Sequence, residues 1–128
     1  MSLRVYVASN YLNAGVVRDL HDRLLSYGIQ PTSSWATAAR GPESPDPAVI
    51  ARAIAQNDAD IERSDAMIVI ATERSGETFA EARHAIFRGI PVYWVGRRIL
   101  SAYRSGVVLC EDADDALIQV IGLARKRA

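Results

Sequence analysis

The chain has 128 residues, 49% of them hydrophobic, with 15 acidic side chains balancing 15 basic ones. That length suits a single domain over 1–128 whose core covers both faces of a sheet, and the charge balance, with no basic run except Arg125-Lys126-Arg127, excludes a groove for polymeric nucleic acid. A single cysteine, Cys110, excludes a disulfide framework and a multi-cysteine metal site, and the lack of a signal segment or long apolar span leads us to expect a cytoplasmic protein with no membrane partner.

Leu3 to Ala8 reads as an N-terminal strand that ends at the polar turn Ser9-Asn10. Val16, Val17, Leu20, Leu24 and Leu25 then recur at helical spacing, and Gly28 stands where a left-handed cap belongs. Ile29 to Trp35 is predicted as a short second strand, and Ala36 to Pro45 as a surface loop that is either a lid or a plain connector. Asp46 as N-cap and Pro47 at the first helical position start a helix that runs to about Ser64. Ile50, Ile54 and Ile61 share one face of it, and Asn57 lies in the middle of that stripe, either as a hydrogen-bonded core residue or facing a ligand. Asp58 is turned away by helical geometry and is expected in solvent.

Ala66 to Ala71 is a third strand of continuous apolar residues. Ser75 to Glu81 forms the loop feeding the next helix, with Glu81 expected in its first turn, where the helix dipole favours a carboxylate. From position alone, Glu81 is either a dipole complement or a nucleophile kept ionised. Gly89 and Pro91 lead into a fourth strand, Pro91 to Val95. Gly96 to Gly106 is a long connection whose three arginines are either anion-binding or simply solvated. Val107 to Leu109 is the last strand, and Asp112, Asp114 and Asp115 open a final helix in which Leu117, Ile118, Ile121 and Leu123 face mostly inward. Cys110, beside that acidic start, is expected as a buried structural thiol.

Strands alternating with helices predict an α/β fold: a doubly wound, flavodoxin- or Rossmann-like parallel sheet of five strands, order 2-1-3-4-5, with helices on both faces. The switch point between the first and third strands then brings the turn at Tyr6 to Asn10 and the turn at Ser75 to Glu81 into one crevice. No Walker loop, no G-x-G-x-x-G and no nucleophile elbow is present. His21 and His84 lack ligand-spaced partners, so both are expected as exposed helix residues, and no metal site is expected. The remaining chemistry is a carboxylate beside small and hydroxyl residues, able to attack an electrophilic sugar carbon and form an ester.

Taken together, Arg4-Val5-Tyr6-Val7-Ala8, Ile61 to Val69, Ser75-Gly76 with Glu81, and Gly89-Ile90-Pro91-Val92 resemble the nucleoside 2-deoxyribosyltransferase superfamily over nearly the whole chain. The resemblance implies that Glu81 is the nucleophile and that Tyr6 positions it. Ser75, six residues before the glutamate, and Ile99-Leu100-Ser101-Ala102 resemble the 2'-deoxynucleoside 5'-monophosphate N-hydrolases, in which such serines bind the phosphate, the second of them across a subunit boundary. The implied protein is a homodimer with shared sites that needs no cofactor and hydrolyses the N-glycosidic bond of a nucleotide. A base-exchanging transferase and a nucleotide sensor without catalysis are the alternatives. The implied catalytic residues are Glu81, Tyr6 and Asn57, and the implied substrate-binding residues are Ala8, Ser9, Asn10, Asp65, Ser75, Gly76 and Ser101. Two positions depart from the family pattern. Asn57 replaces an aspartate that assists the departing base, a role for which Asp58, Asp60 and Asp65 are substitutes to consider, and Ser9 replaces a glycine of the first turn.

Overall fold

The computed structural model describes residues 2–37, 46–71, 76–96 and 106–128. In chain order the elements are β1 (Arg4–Ser9), α1 (Ala14–Ser26), β2 (Gln30–Pro31), α2 (Pro47–Glu62), β3 (Ala66–Ile70), α3 (Gly76–Phe87), β4 (Val92–Val95), β5 (Val107–Cys110) and α4 (Ala113–Arg127), with 3₁₀ turns at Tyr11–Asn13 and Ser34–Thr37. The strands form one parallel sheet in the order β2-β1-β3-β4-β5, as the alternating pattern predicts. β1 and β3 pair from Val5–Ala66 to Ser9–Ile70, and β3 is buried along its whole length. Such two-sided burial is why both read as continuous apolar runs.

The helices lie in two layers. α2 packs on α3, while α1 and α4 are joined by an Arg23–Asp114 ion pair of 2.5 Å. Asp46 caps α2 by accepting from the Ala48 N–H at 2.9 Å, with Pro47 at its first position, and Asp112 caps α4 by accepting from Asp115 N–H at 2.8 Å. Gly28 ends α1 at φ 75°, the left-handed conformation read from the sequence. Gly96, at φ 121°, is required for a further reason: a Cβ there would lie 2.2 Å from the Ala71 carbonyl oxygen, so the chain leaving β4 passes tightly over the end of β3.

Five expectations need correction. β2 spans only 2 residues, because after Thr32 the chain turns into the 3₁₀ segment instead of continuing along β1. On α2, Ile61 is buried but Ile50 and Ile54 are 43% and 49% exposed, since the helix rests mainly on α3 and the Ser34–Thr37 turn. On α4, Leu117 is buried whereas Ile118 is 67% exposed. His21 is buried, with Nε2 2.6 Å from Ser33 Oγ. His84 is half-buried against Glu62, at 3.9 Å. Cys110 is buried as expected, and burial, followed by the Asp115 and Asp112 carboxylates, pushes its thiol up to about 11.

Candidate active site

Tyr6 is the second of the fully buried positions on β1, and its side chain faces α3. Its hydroxyl donates a hydrogen bond to Glu81 Oε2, joining residues 75 apart in sequence. Burial above all, then the Glu81 charge and hydrogen bond, then the charges of Asp60 and Asp58, hold the phenol far above its ordinary range. Tyr6 therefore stays protonated and acts as a fixed neutral donor. Glu81 itself is half-buried and flanks the stripe formed by Thr78, Ala82 and Ala85, all three buried. Its carboxylate thus reaches the sheet from the edge of the stripe. Phe79 extends the same wall by stacking on Trp94, with ring centroids 5.5 Å apart.

One electrostatic expectation changes. α3 begins at Gly76, so Glu81 stands beyond the first turn, where the helix dipole has largely faded. The Tyr6 hydroxyl, not the dipole, orients this carboxylate.

At the end of β1, Ala8 and Ser9 are buried. The Ser9 hydroxyl donates to the Ile70 carbonyl at 2.8 Å and accepts from Asn13 Nδ2 at 3.1 Å, tying β1 to β3. Asn10 caps the following turn, its Oδ1 accepting from Leu12 N–H at 3.0 Å. Both side chains are engaged in local structure at the carboxyl end of β1. Asn57 is half-buried and lines a cleft of about 250 Å³ with Ser34, Trp35, Val49, Arg52, Ala53 and Gln56.

The neighbouring acids differ sharply. Asp60 is 1% exposed and accepts from Ser34 N–H, Ser34 Oγ and Gln56 Nε2, with Arg63 3.3 Å away, so its lone pairs are committed to structure. Asp58 is half-buried, and its charge is felt at the Tyr6 hydroxyl, so the solvated placement expected from helical geometry is corrected.

Asp65 does not join the site. It immediately precedes β3 and therefore lies at the amino ends of the strands, accepting from Arg4 N–H at 2.8 Å and pairing with the Arg4 and Arg127 guanidinium groups at 3.4 and 4.0 Å. A residue leading into a parallel strand faces the end opposite the crevice, which is why its assignment to the substrate is corrected. Gly76 opens α3, while Ser75 and Ser101 lie outside the described residues, as do the arginines of 97–105. Among the described residues no cluster of His, Cys, Asp or Glu could hold a metal ion, and no helix is long and apolar enough to cross a membrane.

Sequence reasoning missed Trp35, Arg52 and Gln56. Gln56 and Asp60 share an i, i+4 spacing that could have revealed their bond, and Trp35 is a large aromatic at the end of the predicted second strand.

No family model and no curated protein matches the chain. Among solved structures, it is similar to a 2-deoxyribosyltransferase from the psychrotolerant bacterium Bacillus psychrosaccharolyticus, at a TM-score of 0.70 and 16% identity, over 89% of this chain and 90% of that one. It is also similar to the Clostridium botulinum CMP N-glycosidase BcmB, at a TM-score of 0.58 and 13% identity, over 91% of this chain and 97% of that one. The chain has the fold of these two enzymes.

Proposed function

We propose that this protein is an enzyme of the nucleoside 2-deoxyribosyltransferase superfamily that hydrolyses the N-glycosidic bond of a (deoxy)nucleoside 5'-monophosphate. The observation that carries this reading is the hydrogen bond from the buried, protonated Tyr6 to Glu81 Oε2 in the crevice between β1 and α3. Glu81 attacks the anomeric carbon, the glycosidic electron pair leaves with the base, and an ester joins sugar and Glu81. Water then attacks the same carbon, releasing sugar phosphate and restoring the carboxylate. The Tyr6 donor fixes the rotamer of Glu81 throughout.

The base seats in the cleft lined by Trp35, Arg52, Gln56 and Asn57. An amide can hydrogen-bond a departing base but cannot give it a carboxyl proton, so bases that leave readily are favoured. Ser75, the N-terminus of α3 at Gly76, and Ser101 bind the phosphate in this proposal, Ser101 being supplied by the partner in a homodimer. Refolding Glu81→Ala and Ser101→Ala variants together tests the sharing. Random pairing gives about one quarter of wild-type activity if the site is shared, and no recovery if each subunit keeps its own site.

Asn57 favours a second reading, a nucleotide-binding sensor without turnover. Chromatographic detection of free base from a panel of nucleoside monophosphates separates the two: release of base supports hydrolysis, and binding without release supports the sensor. Appearance of a new nucleoside when an acceptor base is added would instead reveal a transferase, as the similarity to a 2-deoxyribosyltransferase suggests.

A further inference from the structure

β1 carries Tyr6 into the crevice, yet its outer edge has little strand to lean on. β2 pairs only with Arg4 and Val5, and the last main-chain bond along that edge runs from Thr32 N–H to the Val5 carbonyl at 2.9 Å. Beyond it lies Val7, the residue after Tyr6, which is fully buried, so its N–H and C=O must find partners inside the protein. Side chains supply them. Val7 N–H donates to Ser33 Oγ at 3.1 Å, and Trp35 Nε1–H donates to the Val7 carbonyl at 2.9 Å. Ser33 Oγ, which accepts from Val7, has a second lone pair and its own proton left for His21 Nε2, 2.6 Å away. Burial lowers the proton affinity of His21, against the opposing charge of Asp22, which favours the neutral ring in this contact.

We propose that His21, Ser33 and Trp35 are positioning residues for Tyr6: the chain from His21 Nε2 through Ser33 Oγ to Val7 N–H, closed by the Trp35 indole on the Val7 carbonyl, fixes the backbone from which Tyr6 meets Glu81. None of the three touches Glu81 in the described contacts. Trp35 has a second duty, since its ring also forms a wall of the cleft that holds Asn57 and lies 6.4 Å from the ring of Tyr11. Cleft wall and Tyr6 backbone are thereby set by one side chain. The inference rests on the proposed role of Tyr6 for its catalytic meaning, but its structural content can be measured without turnover.

The test compares four variants of the full chain. Ser33→Ala and His21→Leu break the chain at different links, Trp35→Phe removes only the donor while keeping an aromatic wall, and His21→Gln restores an acceptor at about the reach of Nε2. A carbon-13 label at tyrosine Cζ, assigned to Tyr6 with Tyr6→Phe, reports the Tyr6 hydroxyl bond by NMR, and base release reports function. The Tyr6 signal is expected to shift in Ser33→Ala, His21→Leu and Trp35→Phe and to return towards wild type in His21→Gln. The kcat should fall about tenfold, the size of one lost interaction of roughly 1.4 kcal/mol, with KM nearly constant in Ser33→Ala and His21→Leu, neither of which removes a group proposed to touch substrate. A Tyr6 signal unchanged in all three breaking variants would overturn the proposal, as would a shifted signal with unchanged kcat in a protein that releases base. If the wild type releases no base, the hydrolase reading fails, and the Tyr6 signal alone decides whether the three residues position it. Should one variant fail to fold, the other two decide.

Discussion

At the amino ends of the strands Asp65 meets two guanidinium groups, whereas at the carboxyl ends Glu81 meets a neutral phenol. Asp65 is partly open to water and charge-compensated. Burial works to raise its pKa, but the Arg4 hydrogen bonds and the Arg4 and Arg127 charges outweigh that and hold it below the usual carboxylate range. Tyr6 is fully buried and held in its protonated form by burial and by the carboxylate it serves. The first arrangement satisfies a charge, while the second holds one against a buried neutral donor, a perturbed pairing of the kind that clusters at functional sites.

The strongest break in this comparison is Glu81→Gln. It preserves shape and the Tyr6 contact but removes the nucleophilic oxygen anion, so base release should fall by about three orders of magnitude or more with thermal stability retained. Retention of most of the rate would move the nucleophile elsewhere. Tyr6→Phe should cost about 10- to 100-fold in kcat, the range expected for a hydrogen bond to a charged group worth ~1.5–3 kcal/mol. A rate within twofold of wild type would reduce Tyr6 to packing.

Asn57→Asp sharpens the carboxyl end by adding a proton donor. With a poorly leaving base the rate should rise by about tenfold, at the lower end of what a positioned acid contributes. An unchanged rate with a lower Tm would mean that the amide serves structure and that the new carboxylate is buried without a partner.

The smallest effect belongs to the amino end. Asp65→Asn should leave base release within about twofold and cost no more than roughly 1 kcal/mol, because Arg4 and Arg127 are both exposed. Since the folded pKa of Asp65 lies below its unfolded value, its contribution is present above the ordinary carboxylate range and is lost as pH falls through the depressed value. The difference in Tm between wild type and Asp65→Asn should therefore shrink in acid, and a constant difference would refute the ion pair as its source.

The fold was legible because β1 and β3 are buried on both faces and write their role as unbroken apolar runs, with Asp46, Pro47 and Gly28 marking helix ends by local chemistry. Tyr6 and Glu81 were placed in one crevice by strand order alone. What failed was information that partners supply. Ile50 and Ile54 have the period of a buried face, but α2 rests mainly on α3 and the Ser34–Thr37 turn and leaves them partly exposed, and periodicity does not record which partner an element finds. His21 looked exposed because the group that makes its burial tolerable, Ser33, is 12 residues away. Asp65 was misplaced for a different reason, since strand direction was available and sends the residue before a parallel strand to the far end. The Trp35 cleft depends on a 3₁₀ turn replacing the expected extension of β2, a substitution that only tertiary packing decides.

The central claim is a covalent Glu81 intermediate, and mass spectrometry of the trapped protein tests it most directly. Fluorine at the sugar C2 of a nucleoside monophosphate with a readily departing base destabilises the cationic transition states and slows release of the ester. The account predicts a mass gain of one fluorinated sugar phosphate, confined to the peptide carrying Glu81 and lost in Glu81→Gln. Base release with no adduct, or an adduct on any other residue, would contradict it.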